Sequence, residues 1–452
     1  MPDYLDTIIS YICQNTFDDL SQGVILRAKE VLSDSLGVIA AGSQEEEVKG
    51  LISRIVRPGD PQMATLIGAG LRTESLKAGL INGTAGTFLE LDEGNQFARG
   101  HPGIHIVPAV LAVAEEKRLS GKEVLNALVL GYEVGARIGI ACKIRMSMHP
   151  HGTWGTVGAA VAVGKLLGYN ERAMKEIINV SSSLSLSTSR KTMLEGGTVR
   201  NVYSGVSGLM GILAWHLVES GFTGERDGLS TVFGSVVSET FVLEKMTEKL
   251  GERFEIARNY FKRHACCRYN HATLDAINTI TAKLPEGRIQ PEDIAKVEVM
   301  TYSLAAQLCD QNPRNMLAGK FSIPFAVATS LVHGDTGISS FSEQAVNDPN
   351  IRALAQRVEV VEAPELTAMM PARRPSRVRI TLKDGRELDA ESFVNKGDLE
   401  DPYTAEELQE KYYGLTDPIW GHETAEKVHA KVMALEDVGD INEMTALMAP
   451  LE

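Results

Sequence analysis

The chain has 452 residues, 44% of them apolar and 23% charged, with a formal net charge of −14 and five cysteines. That length exceeds what one hydrophobic core usually serves, so two domains are expected, and the composition excludes a disordered chain. The acidic balance excludes a nucleic-acid partner, whose phosphates demand a concentrated basic face.

The longest uninterrupted apolar runs, such as 109–114 and 157–163, fall short of the roughly 18 to 20 residues a membrane helix needs. The opening Met1-Pro2-Asp3-Tyr4-Leu5-Asp6 is acidic where a secretory signal is basic, so a cytoplasmic protein without a membrane partner is expected. Only Cys266 and Cys267 lie close together. Neither a disulfide framework nor a paired zinc pattern follows, and reduced, partly buried thiols are expected.

In chain order, residues up to about 260 read almost entirely as helix. Val24, Ile25, Val31, Leu32, Leu36 and Ile39 recur at three-and-four spacing and mark one buried face. Ser120-Gly121-Lys122-Glu123 has the capping-box form just before Val124, Leu125, Leu128 and Val129, so a helix is predicted from there to about Ile140. Gly155, Gly158, Ala159, Ala162 and Gly164 cluster in the next helical stretch. Small residues let neighbouring helices approach, which predicts a central helix covered on several sides. Asn170-Glu171 caps another helix, and the pattern continues through 206–218 to Gly221.

The texture changes after about residue 265. Val297, Val299 and Thr301 alternate with polar neighbours, and residues 377–388 read as a hairpin with Asp384-Gly385 in its turn. Helices are predicted over 271–284 and 323–332, between these strands, and the chain returns to helix from Thr404 onward. The expectation is a mainly α protein: a discontinuous helical large domain (1–265 and 403–452) with an inserted, smaller α+β domain (266–402).

The chemistry concentrates between residues 90 and 152. Acidic residues in Glu90-Leu91-Asp92-Glu93 are followed by His101-Pro102-Gly103-Ile104-His105 and His149-Pro150-His151-Gly152, which hold four of the ten histidines. Histidine changes charge near neutral pH, and the flanking Pro and Gly put it at element ends, where it can reach a ligand. His149 with His151, or His101 with His105, could instead donate imidazole nitrogens to a metal. No ligand spacing of known geometry accompanies them, so no metal is expected. Substrate anions would need cations in a chain of this charge, and Lys191, Arg200, Arg268 and Arg99 are candidates.

The run from Asn82 to Glu93 with Gly100-His101-Pro102-Gly103 and Val107-Pro108-Ala109, then His149-Pro150-His151-Gly152-Thr153, Gly221-Phe222-Thr223-Gly224, Cys266-Cys267-Arg268-Tyr269-Asn270-His271 and Lys320-Phe321-Ser322-Ile323-Pro324-Phe325, resembles the MmgE/PrpD family in order and spacing. That family includes 2-methylcitrate dehydratase, cis-aconitate decarboxylase and iminodisuccinate epimerase. The resemblance implies a helical large domain with a small α+β domain and a site between them, a homodimer, no cofactor, and a small di- or tricarboxylate substrate. It implies that Asp92, His101, His149 and His271 are active-site residues with catalytic roles; beside them, His151, Lys191, Arg200 and Arg268 are expected toward the substrate on grounds of charge and position.

Three departures from the family pattern bear on the reaction. The position of a family lysine falls on Leu194, leaving Lys191 as its nearest substitute; the tyrosine after K-F-S is Phe325; and His151 stands where relatives often have Thr or Ser. Removing a C–H proton and protonating a leaving hydroxyl requires a base and an acid, each contributing about 10²- to 10⁴-fold. Asp92 could act directly or orient an imidazole. The readings weighed are a dehydratase first, then an epimerase, a decarboxylase, and a non-catalytic carboxylate-binding protein.

Overall fold

A computed structural model describes residues 4–449. The first three residues of the acidic start and the last three of the chain lie outside the described residues. The protein is mainly α with a smaller α+β part.

The helical part begins with α1 (Tyr4–Gln14) and α2 (Gln22–Gly42), the latter capped by Ser21 Oγ accepting from Val24 N. It continues through α3 (Ser75–Phe88), α4 (Pro102–Lys117), α5 (Gly121–Ala141), α6 (Trp154–Leu166), α7 (Glu171–Ser183) and α8 (Tyr203–Glu219). Ser120 and Glu123 form the expected capping box at the start of α5, and Asn170 Oδ1 accepts from Ala173 N at the start of α7. Helix α6 lies at the centre and packs against α4, α5, α7 and α8. Its small residues allow this: a Cβ on Gly131 of α5 would meet Gly158 O at 2.6 Å, and one on Gly211 of α8 would meet the Ala159 Cβ at 2.6 Å. Helix α5 has the length and apolar composition of a membrane span, which the short uninterrupted runs in the sequence conceal. Here it is a core helix, buried by its neighbours.

The α+β part contains α9 (His271–Ala282), β1 (Ile294–Thr301), α10 (Ile323–His333), β2 (Val358–Glu362), β3 (Ser376–Leu382) and β4 (Glu387–Ser392). The four strands form one sheet in the order β4-β3-β1-β2. β3 and β4 are the expected antiparallel hairpin, with Gly385 at φ 88° in its turn, a left-handed conformation that favours glycine. β2 pairs parallel to β1, so the chain crosses over through α10 to reach it. Helix α9 covers β3 and β4, and α10 packs on β2.

The C-terminal helices α11 (Ala405–Trp420) and α12 (His422–Met433) return to pack on α2. Thr404 and Glu407 form the capping box of α11. Lys411 of α11 reaches Asp34 Oδ1 at 2.5 Å and Leu91 O at 2.8 Å, which ties the C-terminal segment to the strand-like stretch carrying the acidic cluster.

Candidate active site

Helix α3 stops at Phe88, and two residues later Glu90 takes a left-handed backbone conformation, φ 55°. For a residue with a side chain this costs roughly 1–2 kcal/mol, and the turn sends the Glu90 carboxylate into the interior. There it pairs with Arg200 and lies 3.3 Å from Lys262 Nζ, which also donates to Glu90 O at 2.9 Å. Lys262 lies 3.3 Å from Asp92 Oδ1 as well. Arg200, Glu90, Lys262 and Asp92 thus form a buried line of alternating charge that ends against His101.

Burial alone would raise both carboxyls. Arg200 and Lys262 beside Glu90, and His101 and Lys262 beside Asp92, more than reverse this and hold both below the ordinary carboxylate range. Burial would lower Lys262 too, but Asp92 and Glu90 push it above the ordinary lysine range. Glu90, Asp92 and Lys262 are therefore ionised.

His101 is the N-cap residue of α4, fixed in place by Pro102 at the first helical position. Its Nδ1 lies 2.7 Å from Glu93 O, and Asp92 Oδ2 is 3.1 Å away but off the N–H direction. A carbonyl only accepts, so Nδ1 carries the proton. In the neutral ring Nε2 is then a lone pair available to the cavity. Glu93 itself caps α4, its Oε1 accepting from Gly103 N at 2.6 Å, and burial raises its carboxyl to about 8.

His149 is held the opposite way. The turn through Pro150 and His151 needs Gly152 at φ 84°, and Thr188 clips it by donating to His149 O at 2.6 Å and His151 O at 3.2 Å. Within the turn His151 N donates to His149 Nδ1 at 3.1 Å. The proton of neutral His149 therefore sits on Nε2. Burial, then Arg200 and Arg190, keeps His149 well below its ordinary value, so the neutral donor form prevails.

The His151 ring packs edge-on against His149, His105 and His101, with centroids 4.7, 4.9 and 5.0 Å away. His105, one turn into α4, is fully buried, and burial lowers it to about 3. Gly155 leaves no room for a Cβ beside its ring.

His101, His149 and His151 open on a cavity that is partly open to solvent. Its other walls include Arg99, Arg190, Arg200, Tyr260, Cys267, Arg268, Tyr269, Phe321 and Arg374. One wall alternates cation and ring. Tyr269 stands between Arg190 and Arg374, with guanidinium carbons 5.9 and 5.5 Å from the ring centre; Tyr260 stands between Arg374 and Arg268, at 5.8 and 4.7 Å. Arg268 is anchored by Asp398 behind it. Five arginines thus face the cavity against one carboxylate, Glu90, and the site attracts anions despite the acidic chain.

Of the residues singled out in the sequence, His101, His149, His151, Arg99, Arg200 and Arg268 line this cavity. Asp92 lies directly behind His101, in an orienting position. Two of the expected residues lie away from the cavity. His271, the first residue of α9, does not line the cavity. Its ring packs edge-on against His264, with centroids 4.8 Å apart, and its Nε2 lies 3.4 Å from Cys266 O, so the intervening Cys266-Cys267-Arg268 segment separates it from the other histidines. Lys191 is 82% exposed and faces Glu195 at 3.7 Å. Its neighbour Arg190 points inward instead. Arg200 reaches the cavity with its Nη1 paired to Glu90 and its Nε without a partner. Phe325 packs on Phe341 in the core, away from the site.

Sequence reasoning missed Lys262, Tyr260, Arg190 and Arg374. A lysine in the apolar context Tyr260-Phe261-Lys262 is the one local signal that was available. Among the described residues no group of three His, Cys, Asp or Glu is arranged to hold a metal ion. The cysteines Cys13, Cys142, Cys266, Cys267 and Cys309 are all free thiols.

The chain is similar in sequence to known proteins. The MmgE/PrpD N-terminal domain matches residues 6–239 and the MmgE/PrpD C-terminal domain residues 264–437. Cis-aconitate decarboxylase of Aspergillus terreus is 24% identical over 95% of this chain and 93% of its own. The Homo sapiens cis-aconitate decarboxylase is also 24% identical, over 95% of this chain and 91% of its own. The mitochondrial 2-methylcitrate dehydratase of Yarrowia lipolytica is 22% identical over 79% of this chain and 72% of its own. With both domain models matched in order, the chain belongs to the MmgE/PrpD family.

Proposed function

We propose that this protein is a cofactor-independent lyase acting on a small polycarboxylate, most simply a dehydratase, with His101 as base and His149 as acid. The observation that carries this reading is the opposite tautomers of the two rings: His101 offers a lone pair at Nε2, and His149 offers an N–H at Nε2. Elimination needs that combination. The C–H proton beside a substrate carboxylate moves to His101 Nε2, its electron pair becomes the C=C bond, the C–O bond breaks, and the hydroxyl leaves as water with the His149 Nε2 proton, which the proton taken up by His101 restores through solvent before the next turnover. Asp92, ionised behind His101, stabilises the imidazolium that forms. The arginines supply the counter-charge for the carboxylates.

A second reading is decarboxylation, favoured by the relatives named cis-aconitate decarboxylase that align over 95% of this chain. There the C–C bond to a carboxylate breaks, CO2 leaves, and the carbanion takes the His149 proton. Proton NMR of candidate hydroxy and unsaturated tricarboxylates incubated with the enzyme in D2O separates the two. Loss of water with deuterium exchange at the carbon beside the carboxylate supports the first. CO2 release with one deuterium in the product supports the second. Neither exchange nor product from any polycarboxylate overturns the lyase reading.

A further inference from the structure

The cavity does not end at its ring of arginines. Arg99, Pro150, Arg190 and Tyr269 form a neck, and each of them also lines a second compartment. Two stretches of chain build the far wall. One runs from the strand Cys142–Ile144, which pairs antiparallel with Ser238–Phe241, through Met146 and Met148 to Pro150. The other is the turn at Leu304, tied to the neck by Arg190 Nη2 donating to Leu304 O at 3.4 Å. Beyond the neck the side chains are Ala98, Cys142, Ile144, Met146, Met148 and Leu304, all apolar. Among the described residues there, Arg145 is the one further charge, and carbonyls occupy it: its Nε donates to Val236 O at 3.1 Å and its Nη2 to Ser235 O at 3.4 Å.

A charged lining joined to an apolar one suits a ligand with two unlike ends. A carboxylate loses its water against methionines without gaining a partner, whereas a hydrocarbon there is taken out of water. Met146, 53% exposed, holds a large apolar side chain toward solvent beside the neck, and methionine moulds itself to irregular hydrocarbon surfaces. The neck also orders the two ends. His101 and His149 line only the inner side, so the reacting, carboxylate-bearing end lies inside and the apolar end outside. We propose that the second compartment holds an alkyl chain of several carbons carried by the acid substrate, so that the site selects long-chain alkyl acids over their short counterparts. This selectivity comes from the tail, whatever the number of carboxylates, and it rests on the lyase reading above for placing the reacting end beside the histidines.

Butanedioates carrying methyl, propyl or hexyl at C2 lack a leaving group and serve as probes, with binding measured by calorimetry on the wild-type protein, Met146→Gln and Met148→Gln. Each buried CH2 is worth up to about 4-fold in affinity, so a partly buried hexyl chain should bind about 10-fold or more tighter than methyl. Glutamine keeps the length of methionine but is polar, and either variant should cut the hexyl-to-methyl ratio by about 3-fold or more while the methyl probe binds as before. Met146 is exposed, so Met146→Gln supplies the measurement if Met148→Gln does not fold. A wild-type ratio near one, or a ratio that both variants leave intact, overturns the proposal. Light scattering on the same samples covers another occupant: a flat probe series with a dimer that the methionine substitutions dissociate gives the surface to a second copy of the chain and also overturns it. Turnover in D2O, assayed separately, distinguishes the two readings. Chain-length-dependent binding without exchange or product from any acid defeats the lyase reading alone, and turnover with no chain-length dependence in binding defeats this one alone.

Discussion

Replacing Lys262 by methionine tests the buried line of charge most directly, because one ammonium serves two carboxylates. Lys262 is completely buried and lies 3.3 Å from both Glu90 Oε2 and Asp92 Oδ1. Methionine fills similar space and removes the charge, leaving Asp92 with His101 and Glu90 with Arg200, the two carboxylates now repelling each other. Removing one partner of a buried ion pair costs about 3–5 kcal/mol, and the size of this loss should depend on pH. In the wild type both carboxyls titrate below their unfolded values of about 4, so they contribute stability above that pH that is lost as pH falls. In Lys262→Met, Arg200 beside Glu90 and His101 beside Asp92 still oppose burial, but the cation shared by both carboxyls is gone. Their folded values rise, and the variant loses stability relative to the wild type as pH climbs through them. The deficit should therefore approach its full size near pH 8 and shrink toward pH 4 to 5, where the carboxyls become neutral. Urea unfolding at several pH values, followed by tryptophan fluorescence, measures it. Trp154 reports locally, since its ring lies 5.8 Å from that of His105. An equal deficit at pH 5 and pH 8 would show that Lys262 acts by packing alone and would refute the charge argument.

His101→Asn should abolish deuterium exchange at the carbon beside the carboxylate and lower kcat by about 10²- to 10⁴-fold; an unchanged exchange rate removes the base assignment. His149→Ala should lower kcat with a smaller effect on KM, since the donated proton matters in the transition state, and steady-state kinetics on one accepted acid checks it. His151 is kept well below its ordinary value, first by burial, and must charge when the chain unfolds in acid. Wild-type stability should therefore fall below about pH 6.5, and His151→Thr should flatten that fall; parallel pH-stability curves would contradict it. Activity should survive exhaustive chelation with EDTA, and loss of activity together with a stoichiometric metal in the purified protein would turn the histidines from proton carriers into ligands.

Much of the architecture was legible because its signals are local. The capping boxes at Ser120 and Thr404 start helices where they stand, Asp384-Gly385 makes the hairpin turn, and the small residues of 155–164 belong to the central helix. His101 and His149 sit at a helix start and in a tight turn, as their Pro and Gly neighbours imply. The parallel strand Val358–Glu362 was not legible. It is an edge strand with an exposed outer end, so it lacks a strong apolar alternation, and its pairing with Ile294–Thr301 is decided across some sixty residues of chain.

The site was harder to read for the same physical reason. Arg190 and Lys191 are adjacent on a five-residue helix, and successive side chains on a helix point about 100° apart, so a small rotation decides which of the two faces the substrate. His271 shares the Cys266-to-His271 motif with Arg268, yet only Arg268 reaches the cavity, because α9 begins at His271 and turns its ring toward His264. Arg374 is fixed by a carbonyl 278 residues away. Most telling are the two imidazoles. Their identities are plain in the sequence, but their chemical difference is set by the backbone: the Glu93 carbonyl accepts from one Nδ1, and the His151 N–H donates to the other. Every residue has such groups, so no residue type records which histidine meets which. Substitutions at Glu93 and His151 that preserve the backbone path should therefore leave the tautomers, and the division between base and acid, unchanged. Changes that move the path, such as Gly152→Val at φ 84°, should disturb both while every catalytic side chain remains present.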